Sequence, residues 1–459
     1  MARVLLLTPR LPQPLGSPYL GQQYVAAALL RAGHEVRCLD LAATHWEAVG
    51  LDFLDAAHAF APQLVGFTLF TINALEGYRL RQTLTDLDAL FVAGGPHVAA
   101  APIEPLDFGF DVCVPGEGEH TLVELAASLE RGGPLEHVPG VIVNKPQDAG
   151  GPAYGPVRET IAELDALPFP SEALGCYDPR WYGVETFGAV CSLISSRGCP
   201  ARCTFCANHV TGRVFRYRSV ENVLLEMREL SSRFGVRHFP FHDDAFTARA
   251  DRVEQFCEQL RADPALRGVT WGCITPANMV RAELLKKMAA AGCVSINFGL
   301  ESGSRKVLKA IKKGLAPERF VESLVAAKAA GIRTVVNVMF GFPEEGAEEL
   351  EETLRFMEEL VPLTDFFNNR GVLIPFPGTP IYEQFAQAYG FERWWLELGR
   401  IPPETSFTGL SGQALQGWLE ADPTLEVNFF HYDAARRRRI EECVRFKARH
   451  NADTIARQS

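Results

Sequence analysis

Short apolar runs alternate with amphipathic stretches over the first third of the chain. The apolar runs are typical of strands buried on both faces, which carry apolar residues without a strict alternation. These runs are Val4–Thr8, Glu35–Leu39, Leu64–Thr68, Ala89–Ala93 and Asp111–Val114. The helical stretches between them include Gln22–Ala32, Ala74–Asp86 and His120–Arg131. The pattern predicts a doubly wound α/β domain with a parallel sheet over residues 1–145.

Glycine-rich turns follow the fourth and fifth predicted strands. The turns are Gly94–His97 and Gly116–Glu119, and the third strand ends at Thr68. Ligands of open parallel sheets bind beyond the carboxyl ends of the strands, and glycine lets the backbone approach a ligand closely. The sequence therefore predicts a ligand site at this edge of the sheet.

A second series of strand and helix patterns runs from residue 186 to residue 385. The predicted strands are Ala189–Ser195, His238–His242, Thr270–Ile274, Val294–Leu300, Thr334–Met339 and Asp365–Ile374. Ser219 is a good N-cap for the helix that follows the first strand. These strand–helix units predict a partial (βα)6 barrel whose chemistry lies at the carboxyl ends of the strands.

Two further regions complete the predicted organisation. Residues 146–185 begin with glycine, proline and polar residues, so we expect a linker that runs over the surface and sets the angle between the halves. Residues 386–459 form a small, mainly helical C-terminal region that shapes the substrate site. Its aromatic groups Phe391–Trp395 and Val427–Phe430 either pack or cover the barrel mouth, with packing favoured. Arg436–Arg439 are expected on a solvated helix face.

Three cysteines carry the most specific signal in the chain. Cys199, Cys203 and Cys206 have the spacing C-x₃-C-x₂-C, and no fourth cysteine follows nearby. Three thiolates can hold three irons of a 4Fe–4S cluster and leave the fourth iron open as a reaction site. A zinc site with His209 as the fourth ligand and a disulfide cluster are the alternative interpretations.

The motifs in their order along the chain resemble the cobalamin-binding radical S-adenosylmethionine (SAM) enzymes. In the first half the similar pieces are Gly33–Val36, Val65–Thr68, Gly94–His97 and Gly116–Glu119. In the second half they are Leu164–Pro170, the cysteine motif with Phe205, Glu301–Ser304, Gly341–Pro343 and Pro375–Pro380. The resemblance covers about residues 1–385 and implies a Rossmann-like cobalamin-binding domain, followed by a radical SAM partial barrel.

The resemblance also implies a set of binding residues. Cys199, Cys203 and Cys206 would hold the cluster. Those implied for SAM are Phe205, Glu301, Ser302, Asn337 and Gly341. Those implied for cobalamin are Thr68, Gly94, Gly95, Pro96, His97, Gly116, Glu117 and Gly118.

One departure from classical cobalamin-binding domains bears on the cobalt. The loop Pro9–Pro18 contains no histidine, so any bound cobalamin is expected to lack a histidine lower ligand. For His97, a turn histidine bonded to backbone is the preferred interpretation over a cobalt ligand.

The function that the resemblance implies is C-methylation of an unactivated carbon in a small metabolite, lipid or peptide. In that reaction a 5′-deoxyadenosyl radical removes hydrogen, and methylcobalamin donates the methyl group. The alternatives are cyclisation, rearrangement or oxidation by a radical SAM enzyme, with or without cobalamin, and a non-enzymatic iron–sulfur or zinc sensor. A methylthiotransferase fits poorly, because residues 1–145 contain only Cys38 and Cys113, too few for a second three-thiolate cluster.

Charged side chains beside the predicted site have more than one interpretation. Asp243 and Asp244 follow the second barrel strand and either orient a loop or act in catalysis. Arg213, Arg216 and Arg218 follow the cysteine motif. One of them is a candidate for holding a SAM or substrate carboxylate bidentately, while solvated or structural roles suit the others.

Composition limits the partners and the compartment. The net charge is −11, which argues against a nucleic-acid surface. No run reaches the roughly 18 uninterrupted apolar residues of a membrane span. Free cysteines and a cluster require a reducing compartment, so we expect a cytoplasmic enzyme. The resemblance implies a reducing electron donor of the flavodoxin or ferredoxin type.

Overall fold

The computed structural model describes residues 1–146, 148, 150–368, 371–397 and 428–458. Its N-terminal part contains a sheet of order β2-β1-β3-β4-β5-β6-β7. The strands are β1 Arg3–Thr8, β2 Glu35–Asp40, β3 Leu64–Thr68, β4 Leu90–Gly94, β5 Val112–Val114, β6 Ile142–Val143 and β7 Ala153–Tyr154. Strands β1 to β5 are parallel, which confirms the predicted doubly wound sheet. The antiparallel pair β6–β7 extends this sheet past the expected boundary at residue 145.

Helices cover both faces of this sheet. They are α1 Leu20–Arg31, α2 Phe53–Phe60, α3 Ala74–Gln82, α4 Pro96–Ala100 and α5 Gly118–Glu130. Val4, Leu5 and Val65 on the central strands are completely buried. Burial on both faces explains why these strands are apolar at consecutive positions.

The stretch after the first sheet is packed against it. Tyr177 donates a hydrogen bond to Gln22 Oε1 at 2.9 Å, and Tyr182 donates one to Asp40 Oδ2 at 2.6 Å. Trp181 is also buried, with its ring 4.8 Å from that of Trp46. The expectation of a surface linker is therefore wrong for this stretch, because large aromatic side chains bury it against the N-terminal domain.

The second part is built on a five-stranded parallel sheet of order β10-β11-β12-β13-β14. Its strands are β10 His238–Phe241, β11 Thr270–Thr275, β12 Cys293–Glu301, β13 Arg333–Val338 and β14 Phe366–Asn368. A short antiparallel pair, β8 Ser196–Arg197 with β9 Arg216–Tyr217, precedes it. The sequential order of the parallel strands is that of a partial barrel, as predicted.

The predicted first barrel strand, Ala189–Ser195, does not form. Only Leu193 forms a parallel bridge, to Phe241, and Phe187–Ala189 is a 3₁₀ turn. Extending the bridge backwards would require an N–H donor at Pro240, which proline lacks. Extending it forwards fails because the Ser195 N–H donates to the carboxylate of Asp243 instead. Of the predicted last strand, Phe366–Asn368 forms, residues 369–370 lie outside the described part, and Val372 bridges to Phe340.

Helices surround the barrel sheet. They are α6 Val220–Phe234, α7 Ala250–Ala262, α8 Ala282–Ala290, α9 Arg305–Ala310, α10 Pro317–Ala329, α11 Ala347–Leu360, α12 Pro380–Tyr389 and α13 Ala434–Gln458. Ser219 caps α6 as predicted, since its Oγ accepts the Asn222 N–H at 3.1 Å. None of the helices in the described part has the length and apolar character needed to cross a membrane.

The C-terminal region packs on the barrel. Phe391, Trp394, Phe429 and Phe430 are buried, in agreement with the packing interpretation, while Val427 lies outside the described residues. The four arginines Arg436–Arg439 lie at the start of α13, where Arg439 pairs with Glu442 and Glu351.

Candidate active site

A cavity of about 470 Å³ separates the carboxyl edge of the N-terminal sheet from the barrel. On the N-terminal side it is lined by Gly66, Thr68, Gly94, Gly95, Pro96, Gly116, Glu117 and Gly118. On the barrel side it is lined by Ser192, Ile194, Arg197, Val210, Thr211, His242 and Asp244. The predicted ligand edge of the first sheet thus faces the region of the cysteine motif.

Glycines leave the N-terminal wall of the cavity open. A Cβ built at Gly116 would have no neighbour within 4 Å, and one at Gly94 would meet nothing closer than 3.8 Å. Gly95 has φ +97°, and a Cβ there would lie 2.8 Å from the Leu69 carbonyl oxygen. The wall is a backbone cradle with space for a large ligand, so the residues present fit a cobalamin.

His97 is the exception among the predicted cobalamin residues, because it is fully buried and does not line the cavity. Its Nε2 lies 3.1 Å from Glu104 Oε1 and 3.0 Å from the Tyr78 hydroxyl, and its Nδ1 lies 3.2 Å from Thr71 Oγ1. The expectation of a side chain bonded to backbone is wrong, since these partners are side chains. Both ring nitrogens of His97 are therefore engaged by side chains of the protein.

Leu15, Ser17 and Pro18 bring the loop after β1 to the cavity. This loop contains no histidine. The only histidine that lines the cavity in the described part is His242, on the barrel side.

Four charged side chains join the two halves directly beside the cavity. Glu117 pairs with Arg197 at 2.6 Å and with Arg216 at 2.8 Å, and Glu119 pairs with Arg197 at 2.5 Å. All four side chains are at most 11% exposed. Burial acts to raise the pKa of Glu117, but Arg216 and Arg197 lower it overall, so the carboxylate is ionised. The carboxylate of Glu117 is thus engaged by arginines.

These arginines flank the cysteine loop. Arg197 and Arg216 are paired in the ladder of β8 and β9, and the Cys199 N–H donates to the Gly212 carbonyl at 3.2 Å. Gly198 has φ +88°, and a Cβ there would lie 2.4 Å from the Val214 carbonyl oxygen. Only glycine fits this close approach at the base of the loop.

Asp243 holds the segment that enters the loop. It is buried and accepts hydrogen bonds from the Ser195 N–H at 3.0 Å, from the Ser195 hydroxyl at 2.7 Å and from the Ser196 hydroxyl. Of the two roles considered for Asp243, the structure shows loop orientation. Asp244 instead lines the cavity and accepts a hydrogen bond from Thr211 at 2.8 Å.

The three motif cysteines are free thiols. Cys199 and Cys203 are buried and Cys206 is half-buried. Burial raises the pKa of all three thiols, that of Cys206 to about 12. Within the described residues, no three His, Cys, Asp or Glu side chains are gathered closely enough to hold one metal ion. A 4Fe–4S cluster does not require such convergence, because its thiolates bind separate irons.

His209 does not complete a zinc site in this arrangement. Its ring packs against Gly378, where a Cβ would lie 2.9 Å from the ring.

Glu301 ends β12 in an unusual conformation, with φ +73°. Its Oε1 lies 2.7 Å from Lys313 Nζ, and that ammonium lies 5.9 Å from the centre of the Phe205 ring. Positive φ at a residue with a side chain is uncommon and is concentrated at functional sites. Sequence reasoning missed Lys313, which lies in a short turn after α9 without any distinguishing pattern.

Ser302 and Gly341, two other predicted SAM residues, are in close contact with other parts of the protein. Ser302 Oγ lies 3.0 Å from Thr353 Oγ1 and accepts the N–H of Ser304, the residue that precedes α9. Gly341 has φ +86°, and a Cβ there would lie 2.1 Å from the Tyr432 hydroxyl oxygen. This glycine therefore allows α13 and the residues before it to approach the barrel.

Asn337 belongs to a ladder of amides across three neighbouring strands. It donates to Asn297 Oδ1 at 2.7 Å and accepts from Asn368 Nδ2 at 2.8 Å. Asn297 and Asn368 were not predicted. Asn368 pairs in register with Asn337, and Asn297 lies two residues before Gly299, the partner of Asn337 on β12, so all three share a face of the sheet.

The arginines after the cysteine motif have separate surroundings. Arg218 is buried and donates to Glu226 at 2.5 Å and to the Ile194 carbonyl at 3.0 Å, and Arg216 is held by Glu117. Both are structural in this arrangement, whereas Arg213 is exposed.

The sequence matches two family models. Residues 193–357 match the radical SAM superfamily, and residues 17–126 match the B12 binding domain. An uncharacterized methyltransferase of Pyrococcus horikoshii is 30% identical over 379 residues, which cover 81% of this chain and 78% of that protein. The chain belongs to the radical SAM enzymes that carry a B12-binding domain.

Two further proteins are similar to this chain, one in sequence and one in fold. A cytidylyl-2-hydroxyethylphosphonate methyltransferase of Streptomyces wedmorensis is 29% identical over 417 residues, covering 78% of this chain and 77% of that protein. The fold is shared with the radical SAM methyltransferase TsrM of Kitasatospora setae, with a TM-score of 0.69 at 22% identity, covering 85% of this chain and 77% of that chain. Membership confirms that this chain is an enzyme and that its cofactors are a 4Fe–4S cluster, SAM and cobalamin. The sensor and zinc interpretations fall.

Proposed function

We propose that this radical SAM enzyme is a cobalamin-dependent C-methyltransferase, acting on an unactivated carbon of a small metabolite, lipid or peptide. The observation that carries the proposal is the glycine-lined cavity that faces the cysteine loop across the two halves. The relatives from Pyrococcus and Streptomyces are both named as methyltransferases, which supports the same reaction class.

The cofactors, when bound, supply the hydrogen-abstracting and methyl-donating chemistry, and the protein supplies positions. In the proposal Cys199, Cys203 and Cys206 hold the cluster. Asp243 supports this by holding the entry to the loop through Ser195 and Ser196.

We assign SAM to the inner side of the cysteine loop. Glu301 and its partner Lys313 provide buried charges of both signs beside Phe205. A carboxylate there can accept hydrogen bonds from an amino group or ribose, and an ammonium can pair with a carboxylate. Asn337 extends this polar edge through its amide ladder.

Cobalamin is assigned to the backbone edge formed by Thr68, Gly94–Pro96 and Gly116–Gly118, all of which line the cavity. His97 is not part of this assignment, because Glu104, Tyr78 and Thr71 surround its ring.

The C-terminal region fixes the distance between the halves on the side of Glu104. Glu104 accepts hydrogen bonds from Trp395 Nε1 at 2.8 Å and from Arg393 Nε at 3.0 Å, while it also contacts His97. A radical reaction between cofactors requires near-attack distances, and a rigid junction maintains them.

The compartment and the substrate class complete the proposal. Eleven free thiols, three of which would ligate iron, suit the reducing cytosol. The substrate is a small molecule or peptide, and no nucleic-acid partner is expected from a net charge of −11.

Anaerobic reconstitution with iron, sulfide and hydroxocobalamin tests the cofactor set first. We expect about four irons and one cobalt per chain, in keeping with one cluster. The protein should then cleave SAM and transfer a deuterated methyl group from SAM to its substrate, seen by mass spectrometry. A product that forms together with 5′-deoxyadenosine but carries no deuterated methyl group would identify a cyclising or rearranging enzyme. Four irons without cobalt would end the methylation proposal.

A further inference from the structure

Exposed cations lie beside the cysteine loop of a chain whose net charge is −11. Arg202 stands between Cys199 and Cys203, and Lys309 and Lys312 stand at the end of α9 and in the turn after it; all three cations are exposed. The Thr204 N–H donates to the Ile311 carbonyl at 3.0 Å and brings the loop and this turn together. We call Arg202, Lys309 and Lys312 the cationic surface.

The cationic surface is not neutralised by the protein. Within the described ranges, none of its three side chains makes an ion pair, although neighbouring cations do. The paired neighbours are Arg305 with Glu318, Lys306 with Glu349 and Lys313 with Glu301. An unpaired positive patch on an acidic protein creates a local field that attracts an acidic partner.

The cationic surface also lies close to the proposed cluster site. Lys312 is exposed, but the next residue, Lys313, is only 10% exposed and its ammonium lies 5.9 Å from the centre of the Phe205 ring. Phe205 is adjacent to Cys206 in the loop. The surface and the interior of the loop are thus separated by the thickness of one turn.

We propose that the cationic surface is the docking site for an acidic one-electron carrier protein. The inference rests on the cluster of the proposed function, which must gain one electron from outside before SAM is cleaved. The carrier loses that electron and the cluster gains it, without any bond forming between the two proteins. Charge complementarity at such a surface accelerates encounter more than it adds affinity.

The test compares two reductants in the double variant Lys309→Glu/Lys312→Glu. The reconstituted holoenzyme is supplied either with reduced flavodoxin, an acidic carrier, or with dithionite, and 5′-deoxyadenosine released from SAM is counted without any substrate. We expect kcat/KM for flavodoxin to fall about tenfold at low ionic strength, as electrostatic steering is lost. The rate with dithionite should not change, because a small reductant needs no docking surface.

The matched control is Arg261→Glu/Arg267→Glu, which makes the same change of charge. Arg261 ends α7 and Arg267 precedes β11, so both exposed residues lie at the amino-terminal edge of the barrel sheet, away from the cysteine loop. This control should keep the flavodoxin rate. Raising the salt to about 0.5 M should lower the wild-type kcat/KM for flavodoxin to near that of the double variant, because screening removes the same attraction.

Two outcomes overturn the inference alone. One is an unchanged flavodoxin rate in Lys309→Glu/Lys312→Glu, and the other is an equal loss with flavodoxin and dithionite, which would place the lysines in cleavage or folding. If wild-type holoenzyme cleaves no SAM even with dithionite, the proposed function falls and the inference falls with it.

Discussion

The two walls of the cavity are built in different ways. The N-terminal wall is mostly backbone, with glycines at positions such as Gly94 and Gly116 where a side chain would enter the space. The barrel side relies on side chains held by buried partners, as Asp243 holds Ser195 and Glu301 pairs with Lys313. A wall of backbone suits a large cofactor held by shape, whereas placed charges and thiols suit groups that must be oriented for reaction. Substitutions in the N-terminal wall should therefore impair cobalamin binding, and substitutions on the barrel side should impair cluster assembly and SAM cleavage.

The largest effect is expected for a variant that removes one cofactor and leaves the other bound. Cys203→Ala should abolish cluster assembly and SAM cleavage, because two remaining thiolates hold the cluster poorly. Cobalamin binding should persist, since the glycine cradle is unaffected. Iron and cobalt counts on the same sample measure both.

The matched control for that variant is Cys257→Ala, which removes a buried thiol outside the motif. It should keep both metals. Loss of cobalt in Cys203→Ala would show that the two walls are not independent.

The reverse experiment fills the backbone wall. Gly116→Leu should weaken hydroxocobalamin binding more than tenfold, because the new side chain enters the open cradle without steric strain in the backbone. SAM cleavage with dithionite should continue. Gly175→Leu is the control, since Gly175 also has no neighbour within 4 Å of a built Cβ but lies in the stretch after the first sheet. Unchanged cobalamin affinity in Gly116→Leu would contradict the assignment of the cradle.

The junction between the walls should respond in stability. Glu117→Gln leaves Arg216 and part of Arg197 without their buried anion, which costs about 3 kcal/mol in free energy of unfolding. Glu124→Gln is the control, because Glu124 pairs with Arg158 at the surface of the same domain. Chemical denaturation of both variants measures the difference, and equal losses would show that the junction has no special weight.

The effect expected per pH unit is the smallest, and it concerns the turn at Gly341. Glu345 accepts the Gly341 N–H at 2.5 Å, and burial raises the pKa of Glu345 to about 8. The folded state therefore keeps a proton that the unfolded chain releases near pH 4.5, so stability falls as pH rises between about 4.5 and 8. The contribution is at most about 1.4 kcal/mol per pH unit. Glu345→Gln should flatten the measured pH dependence of unfolding in that window, and an unchanged slope would show that Glu345 is ionised in the fold.

The sequence was most informative where the pattern is local. Strand β3, Leu64–Thr68, was predicted to the residue, because a short apolar run that follows Pro62 and Gln63 is defined by its own neighbours in the chain. The cysteine spacing was equally local. In contrast, the failure of Ala189–Ser195 to form a strand depends on Pro240 and Asp243, which are distant in the chain until the fold brings them together.

Side-chain partners in the site were the least predictable part. His97 was expected to bond to backbone, but its partners Tyr78 and Glu104 come from other elements. Lys313 was not predicted, since a lysine in a turn has no pattern that announces a buried pair. Such contacts depend on which elements meet in three dimensions, and helical or strand periodicity does not carry that information.

The turn Gly116–Glu119 has a consequence for how such proteins diverge. Its glycines leave room in the cavity, while its two glutamates hold Arg197 and Arg216 of the other half. A descendant that stopped using cobalamin would be free to replace the glycines but would still need the glutamates to keep its halves together. Homologues that retain both glutamates but have lost the glycines are therefore expected to have lost cobalamin binding while keeping the arrangement of the two halves.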